Sequence, residues 1–157
     1  MLYLHLPDGA VPTENQPDFA EATARLADFF REKQPATVLV PWRRDPHPDH
    51  RATSQLTAAA LAQLPQPPHR LEYVVWAWER AAPEDLPRPE EGVGFQLDIA
   101  PVLAQKQRAI AAHRSQLAPG VITDDPSGFL LSETMLAHFA HPTEAFIAAP
   151  TDESKPA

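Results

Sequence analysis

The chain contains no cysteine. That excludes a disulfide scaffold, a thiol nucleophile and any thiolate-held metal. Glycine is scarce, 5 residues in 157, and no Gly-x-Gly-x-x-Gly occurs, so neither a flexible linker nor a dinucleotide-binding turn is indicated. No apolar run reaches the roughly 18 residues that a helical membrane span requires. The first ten residues lack the basic flank of a secretory signal and hold Asp8. There is no run of Lys or Arg either: Arg43-Arg44 is the densest basic spot, and Asp45 follows at once. With a formal net charge of −8, the chain repels phosphate backbones, which argues against nucleic acid as a partner. These absences leave a globular chain with the cytoplasm as its default compartment and no membrane partner.

What remains is ordinary in bulk and unusual in one respect. The length of 157 residues fits one domain, and the 43% hydrophobic and 22% charged fractions suit a packed core. Proline is the exception, 19 residues, or about one in eight against an average near 5%. It gathers at 65–68, at 83–89 and at the C-terminal end, marking those stretches as connections.

Hydrophobic periodicity divides the rest. Residues 2–6 read as a short strand, closed by the turn signal Pro7-Asp8-Gly9. Residues 17–33 read as a helix, with Phe19, Ala22, Leu26, Phe29 and Phe30 at spacings of three and four. The continuous apolar run 37–42 predicts a strand of a parallel sheet covered on both faces. Residues 51–64 read as a second helix, capped by Asp49, with Ala52, Leu56, Ala59, Ala60 and Leu64 on one stripe. Strands are expected at 71–78 and 95–98, and the longest helix at 101–117, with Val102, Leu103, Ile110, His113 and Leu117 along one side. After Pro119-Gly120 the pattern weakens, with a short helix around 132–140. Residues 1–149 are thus expected to form one domain and 150–157 a disordered tail. The alternation predicts an α/β fold with a largely parallel sheet and flanking helices, whose ligands bind beyond the carboxyl ends of the strands.

One segment there carries chemistry. Asp45-Pro46-His47-Pro48-Asp49-His50 packs two histidines and two aspartates into six residues. Its prolines fix φ and stiffen the chain, as a metal or catalytic site requires. Imidazole suits zinc, and a nearby carboxylate can set which ring nitrogen is free. The plainer alternative is a polar loop that caps the following helix, with its histidines in solvent.

His47-Pro48-Asp49-His50, with Asp45 before it and Ala52 after, resembles a motif of the LmbE/PIG-L family of zinc-dependent de-N-acetylases. Leu6-Pro7-Asp8-Gly9 is similar to that family's upstream strand and turn. Asp98-Ile99 and the stretch Lys106 to Gln116, which holds His113, Ser115 and Gln116, also resemble it, in the same order. The resemblance implies a Rossmann-like fold, a zinc cofactor, and hydrolysis of an N-acetyl group from an amino sugar or related small molecule. It implies His50 as a zinc ligand, and His47 as the group that stabilises the oxyanion or protonates the leaving amine. Asp49 would orient and polarise His47. A metal that polarises an amide carbonyl and a positioned acid answer the two difficulties of amide hydrolysis.

The family's other signature, His-Pro-Asp-Asp, is absent: the His-Pro pairs are His47-Pro48 and His141-Pro142. By resemblance that signature supplies two zinc ligands and the general base. The chain is therefore expected to lack the family's first strand-helix unit and to be inactive alone. The sheet edge so exposed invites self-association into a homo-oligomer. The competing expectations are a non-catalytic paralogue acting as a binding or subunit-like protein, and an unrelated use of the histidines. Trp42 could wall a pocket or simply pack in the core, Arg43 and Arg44 could hold an anionic substrate group, and His113 reads as a core histidine.

Overall fold

The computed structural model describes residues 1–124 and 129–148. Helix α1 (Phe19–Lys33) leads into strand β1 (Thr37–Pro41), helix α2 (Pro48–Leu61) and strand β2 (His69–Tyr73). Then follow the one-turn helix α3 (Ala77–Arg80), strand β3 (Val93–Asp98), helix α4 (Leu103–Ala112), helix α5 (Glu133–His138) and strand β4 (Thr143–Ala148). The chain divides into two compact units, Met1–Phe95 with the chain from Phe146 on, and Gln96–Ala145.

In the first unit α1 and α2 pack face to face. Ala27 and Ala60 are fully buried at their contact, with Phe30 and Leu61 beside them and Leu26, Phe29, Val38 and Leu64 around the rim. Two alanines let the helix backbones approach closely, and the larger side chains fill the flanks. α1 ends where Gln34 turns left-handed at φ 46° and returns its amide to Phe30 O at 2.8 Å. Arg31 and Lys33 occupy its last turn, where cations complement the carbonyl end.

The β1–α2–β2 crossover makes β1 and β2 parallel, in register Val38–Arg70, Leu39–Leu71 and Val40–Glu72. Val38 and Val40 turn toward the helices. Leu39, on the other side, is 55% exposed, so β1 is covered on one face only and not, as its apolar run predicted, on both. The expected largely parallel sheet is corrected too. The strand order is β1-β2-β4-β3, and β4 enters against β2 antiparallel, pairing Leu71 with Ala148 and Glu72 with Ile147. The fold is mixed α/β. Gly92 lies where β4 passes closely: a Cβ there would stand 2.4 Å from Ala148 O. Phe95 stacks on Phe146 at 5.6 Å.

Other expectations are revised for identifiable reasons. Residues 2–6 form no strand, because His5 takes φ 59°, outside the β region. The carbonyls of Tyr3 and Leu4 instead accept from the Arg25 guanidinium, at 3.0 and 3.3 Å. The strand expected at 71–78 stops at Tyr73, and 77–80 coil into α3. In the second unit the helix expected at 101–117 is interrupted at His113, which adopts φ −82°, ψ 59° and is exposed rather than buried in a core. No residue of α4 is buried. Lys106 there pairs with Glu144 at 3.2 Å, and Ile99 N donates to Pro142 O at 2.8 Å. The tail expected at 150–157 lies outside the described residues. Among the described residues no helix is long and apolar enough to cross a membrane.

Candidate functional site

The site lies at the carboxyl end of β1. The ladder continues one residue past the strand, Trp42 N donating to Tyr73 O at 2.8 Å. A turn closed by Asp45 N to Trp42 O, 2.9 Å, then delivers the chain to α2. Trp42 is fully buried, and its indole N–H donates to Asp85 O at 2.7 Å. It is thus a packed anchor here and not an exposed pocket wall.

Asp45 is 0% exposed, yet both of its carboxylate oxygens are filled by donors. Its Oδ1 accepts from His47 N at 3.1 Å and meets His50 Nδ1 at 3.0 Å. Its Oδ2 accepts from Val75 N at 3.0 Å and Trp76 N at 2.9 Å. Burial alone would raise its pKa; the hydrogen bonds from His50, His47 and Val75 outweigh burial and hold the carboxyl below its ordinary value. Burial chiefly, and then the Asp45 charge, push the Tyr73 phenol up. Arg51 closes the loop from behind, donating to Asp45 O at 3.1 Å.

The helix cap differs from the expected one. The cap residue of α2 is His47, whose Nδ1 accepts from Asp49 N at 3.2 Å, with Pro48 in the first helical position, where its missing N–H costs nothing. Asp49 sits inside the first turn, and its carboxylate reaches back some forty residues. Oδ2 accepts from Gly9 N at 2.7 Å and Oδ1 from Val11 N at 3.2 Å. Gly9 has φ 73° in a turn closed by Ala10 N to Pro7 O, 3.2 Å, the geometry that asks for glycine. The two sequence pieces Leu6–Gly9 and His47–His50 are therefore physically joined through Asp49. Its link to His47 is through the backbone amide. The rings of His47 and His50 lie side by side, centroids 4.8 Å apart and tilted by 33°.

Arg43 and Arg44, which could hold an anionic group, are engaged by protein partners here. Arg43 bonds the buried Glu72 at 2.8 Å and Glu91 O at 3.2 Å. Glu72 also takes Arg70 at 2.7 Å and faces Ser54 of α2. Arg44 grips the proline-rich segment after α3: it donates to Glu84 O at 3.1 Å, to Leu86 O at 2.7 Å, and to both oxygens of the Glu91 carboxylate. That hydrogen bond from Arg44 holds the Glu91 carboxyl at about 2. Both guanidiniums lie over the Trp42 ring, at 4.4 and 4.9 Å.

A catalytic zinc site takes three protein ligands and keeps one position open. Both oxygens of Asp45 and of Asp49 are occupied by N–H donors, and the rings of His47 and His50 are each engaged at Nδ1. No group of three or more His, Asp or Glu side chains that could hold a metal converges among the described residues. As they stand, these residues do not fit a complete zinc site.

The family described as PIG-L, GlcNAc-PI de-N-acetylase, matches residues 1–61, which bears out the resemblance seen in the sequence over that span. The stretch Lys106 to Gln116 lies beyond it. The crystal structure of the conserved protein TT1542 from Thermus thermophilus is similar, with a TM-score of 0.50 and 30% identity. The similarity covers 71% of this chain and 48% of that one, so this chain spans about half the length of that structure. No curated protein matches the chain.

Proposed function

With residues 1–61 identified as PIG-L family sequence, we propose that the chain carries one half of a de-N-acetylase site, acting on an N-acetylated amino sugar or a related small molecule. The observation that supports this reading best is the pair of adjacent imidazoles on the His47–His50 turn, each fixed by a hydrogen bond at Nδ1. His50 is the proposed zinc ligand. His47 is the proposed donor to the oxyanion of the tetrahedral intermediate, the place where a fixed N–H stabilises charge as it develops. Asp49 serves the pair by seating the 7–11 turn against α2 and by lending its amide to His47.

No group of three or more metal-binding side chains converges among the described residues, so in this reading the site is completed by donors from elsewhere and the chain alone does not hydrolyse amides. A Rossmann-like relationship and assembly with a second copy belong to the same proposal. The alternative reading is a non-catalytic binding or subunit-like protein.

The test pairs zinc titration calorimetry with acetate release from N-acetylglucosamine, on the wild type and on His50→Gln. Weak zinc uptake that is lost in His50→Gln, without acetate release, is expected. Tight uptake with acetate release would overturn the incomplete site. Uptake indifferent to His50→Gln would overturn the placement of the site.

A further inference from the structure

Two neighbouring rings make hydrogen bonds of opposite sense. A backbone N–H can only donate, so His47 Nδ1, which faces Asp49 N at 3.2 Å, must be a bare acceptor, and the ring proton sits on Nε2. An ionised carboxylate can only accept, so His50 Nδ1, which faces Asp45 Oδ1 at 3.0 Å, must carry the proton, and Nε2 holds the lone pair. We propose that Asp45 is a positioning residue: from its buried place it holds His50 in the Nδ1–H tautomer, opposite to that of His47, so the two rings present one lone pair and one N–H side by side. The meaning of this for hydrolysis rests on the function proposed above; the tautomers themselves do not.

Two features make Asp45 a setter of that state rather than a bystander. It is fully buried, a placement that is costly for a carboxylate unless its lone pairs are filled. They are filled by amides from two separate segments, His47 N on one oxygen and Val75 N with Trp76 N on the other. Oδ1 is thereby fixed in direction before His50 reaches it. The ring is pinned at Nδ1 while the helix backbone of α2 fixes its root, so Nε2 has one bearing. Such an outer partner orients an imidazole ligand and selects its coordinating nitrogen. On the other ring, Pro48 and the cap geometry of α2 fix the amide that His47 accepts.

Long-range proton–nitrogen correlation spectra of ring-labelled protein at about pH 8.5, above the ordinary imidazole range, read each tautomer directly. The wild type should show a protonated Nδ1 and a bare Nε2 at His50, and the reverse at His47. Asp45→Asn offers an amide donor as well as an acceptor, and should lose the single His50 pattern while the His47 pattern, set by Asp49 N, stays as an internal sign of folding. His47→Gln should leave the His50 pattern unchanged. A wild-type His50 with its proton on Nε2 would overturn the proposal even if no variant folds, as would a His50 tautomer that survives Asp45→Asn or follows His47→Gln. The expected tautomers without His50-dependent zinc uptake would leave Asp45 in its role and overturn the deacetylase reading alone. The converse result would overturn only the role of Asp45.

Discussion

Replacing Asp49 with alanine removes two hydrogen bonds that tie the turn at residues 7–11 to the start of α2. Hydrogen bonds to a charged group contribute about 1.5–3 kcal/mol each when intact. Gly9 is exposed, so water can take over part of its amide's need, and the bond to Val11 is long at 3.2 Å. Both facts pull each bond down to about 1 kcal/mol, the net size of an ordinary hydrogen bond. A carboxylate in the first turn of a helix adds a further ~0.3–1 kcal/mol of favourable interaction with the helix N-terminus. The expected loss for Asp49→Ala is therefore about 2–3 kcal/mol, a large share of the ~5–15 kcal/mol that holds a domain together. With a urea slope near ~2 kcal/mol/M, the midpoint should fall by about 1–1.5 M. Asp49→Asn keeps one acceptor and should lose about half as much. Hydrogen exchange reads the cause: the amides of Gly9 and Val11 should lose protection in Asp49→Ala. A midpoint shift worth less than about 0.5 kcal/mol, with unchanged exchange at both amides, would refute the reasoning, for that is the size expected of an ordinary surface substitution. A change confined to the His47 ring signals would mean that the carboxylate serves the ring after all.

Two other outcomes are expected. The Glu91 carboxyl, held at about 2 by Arg44, has a folded value below its ordinary 4.5. Its contribution is thus fully present above about pH 4.5 and is lost as pH falls through about 2. The amide of Arg88, which donates to Glu91 Oε2 at 2.8 Å, should report this as a shift with its midpoint near 2; a midpoint near 4.5 would mean that Arg44 does not engage the carboxylate in solution. Trp42→Phe keeps a buried aromatic ring but removes the N–H that meets Asp85 O, and should cost about 1–2 kcal/mol in thermal unfolding; an unchanged melting temperature would mean that this bond carries no stability.

Where periodicity was long, the elements were legible. α1 and α2 each show four or five apolar residues at helical spacing, and both form with their edges within a few residues of those expected. β1 was legible as a strand but not as an edge, because an apolar run says nothing of which neighbours arrive. β4 went unread: Thr143–Ala148 is six residues long and follows a stretch without pattern, and its insertion between β2 and β3 is what makes the sheet mixed. The Asp45–His50 segment stood out by composition alone. The partners that define it did not, since Val75 and Trp76 lie thirty residues on and Gly9 some forty back. Only the spacing of five between Asp45 and His50 hinted that one could hold the other.

The buried Glu72, bracketed by Arg43 and Arg70 and facing Ser54, has a consequence for how β1 and β2 find each other. Alternate residues of a strand face opposite sides, so sliding β2 by one position would turn Glu72 toward the side where Leu39 is exposed and press Leu71 toward α2. The slipped pair would leave Arg43 and Arg70 without the carboxylate that they share. The facing strand β1, Thr-Val-Leu-Val-Pro, has little else to tell one alignment from the next. The single acid in β2 works as a key that turns in one position only, and it thereby sets the distance along the chain at which the Val75 and Trp76 amides arrive over Asp45.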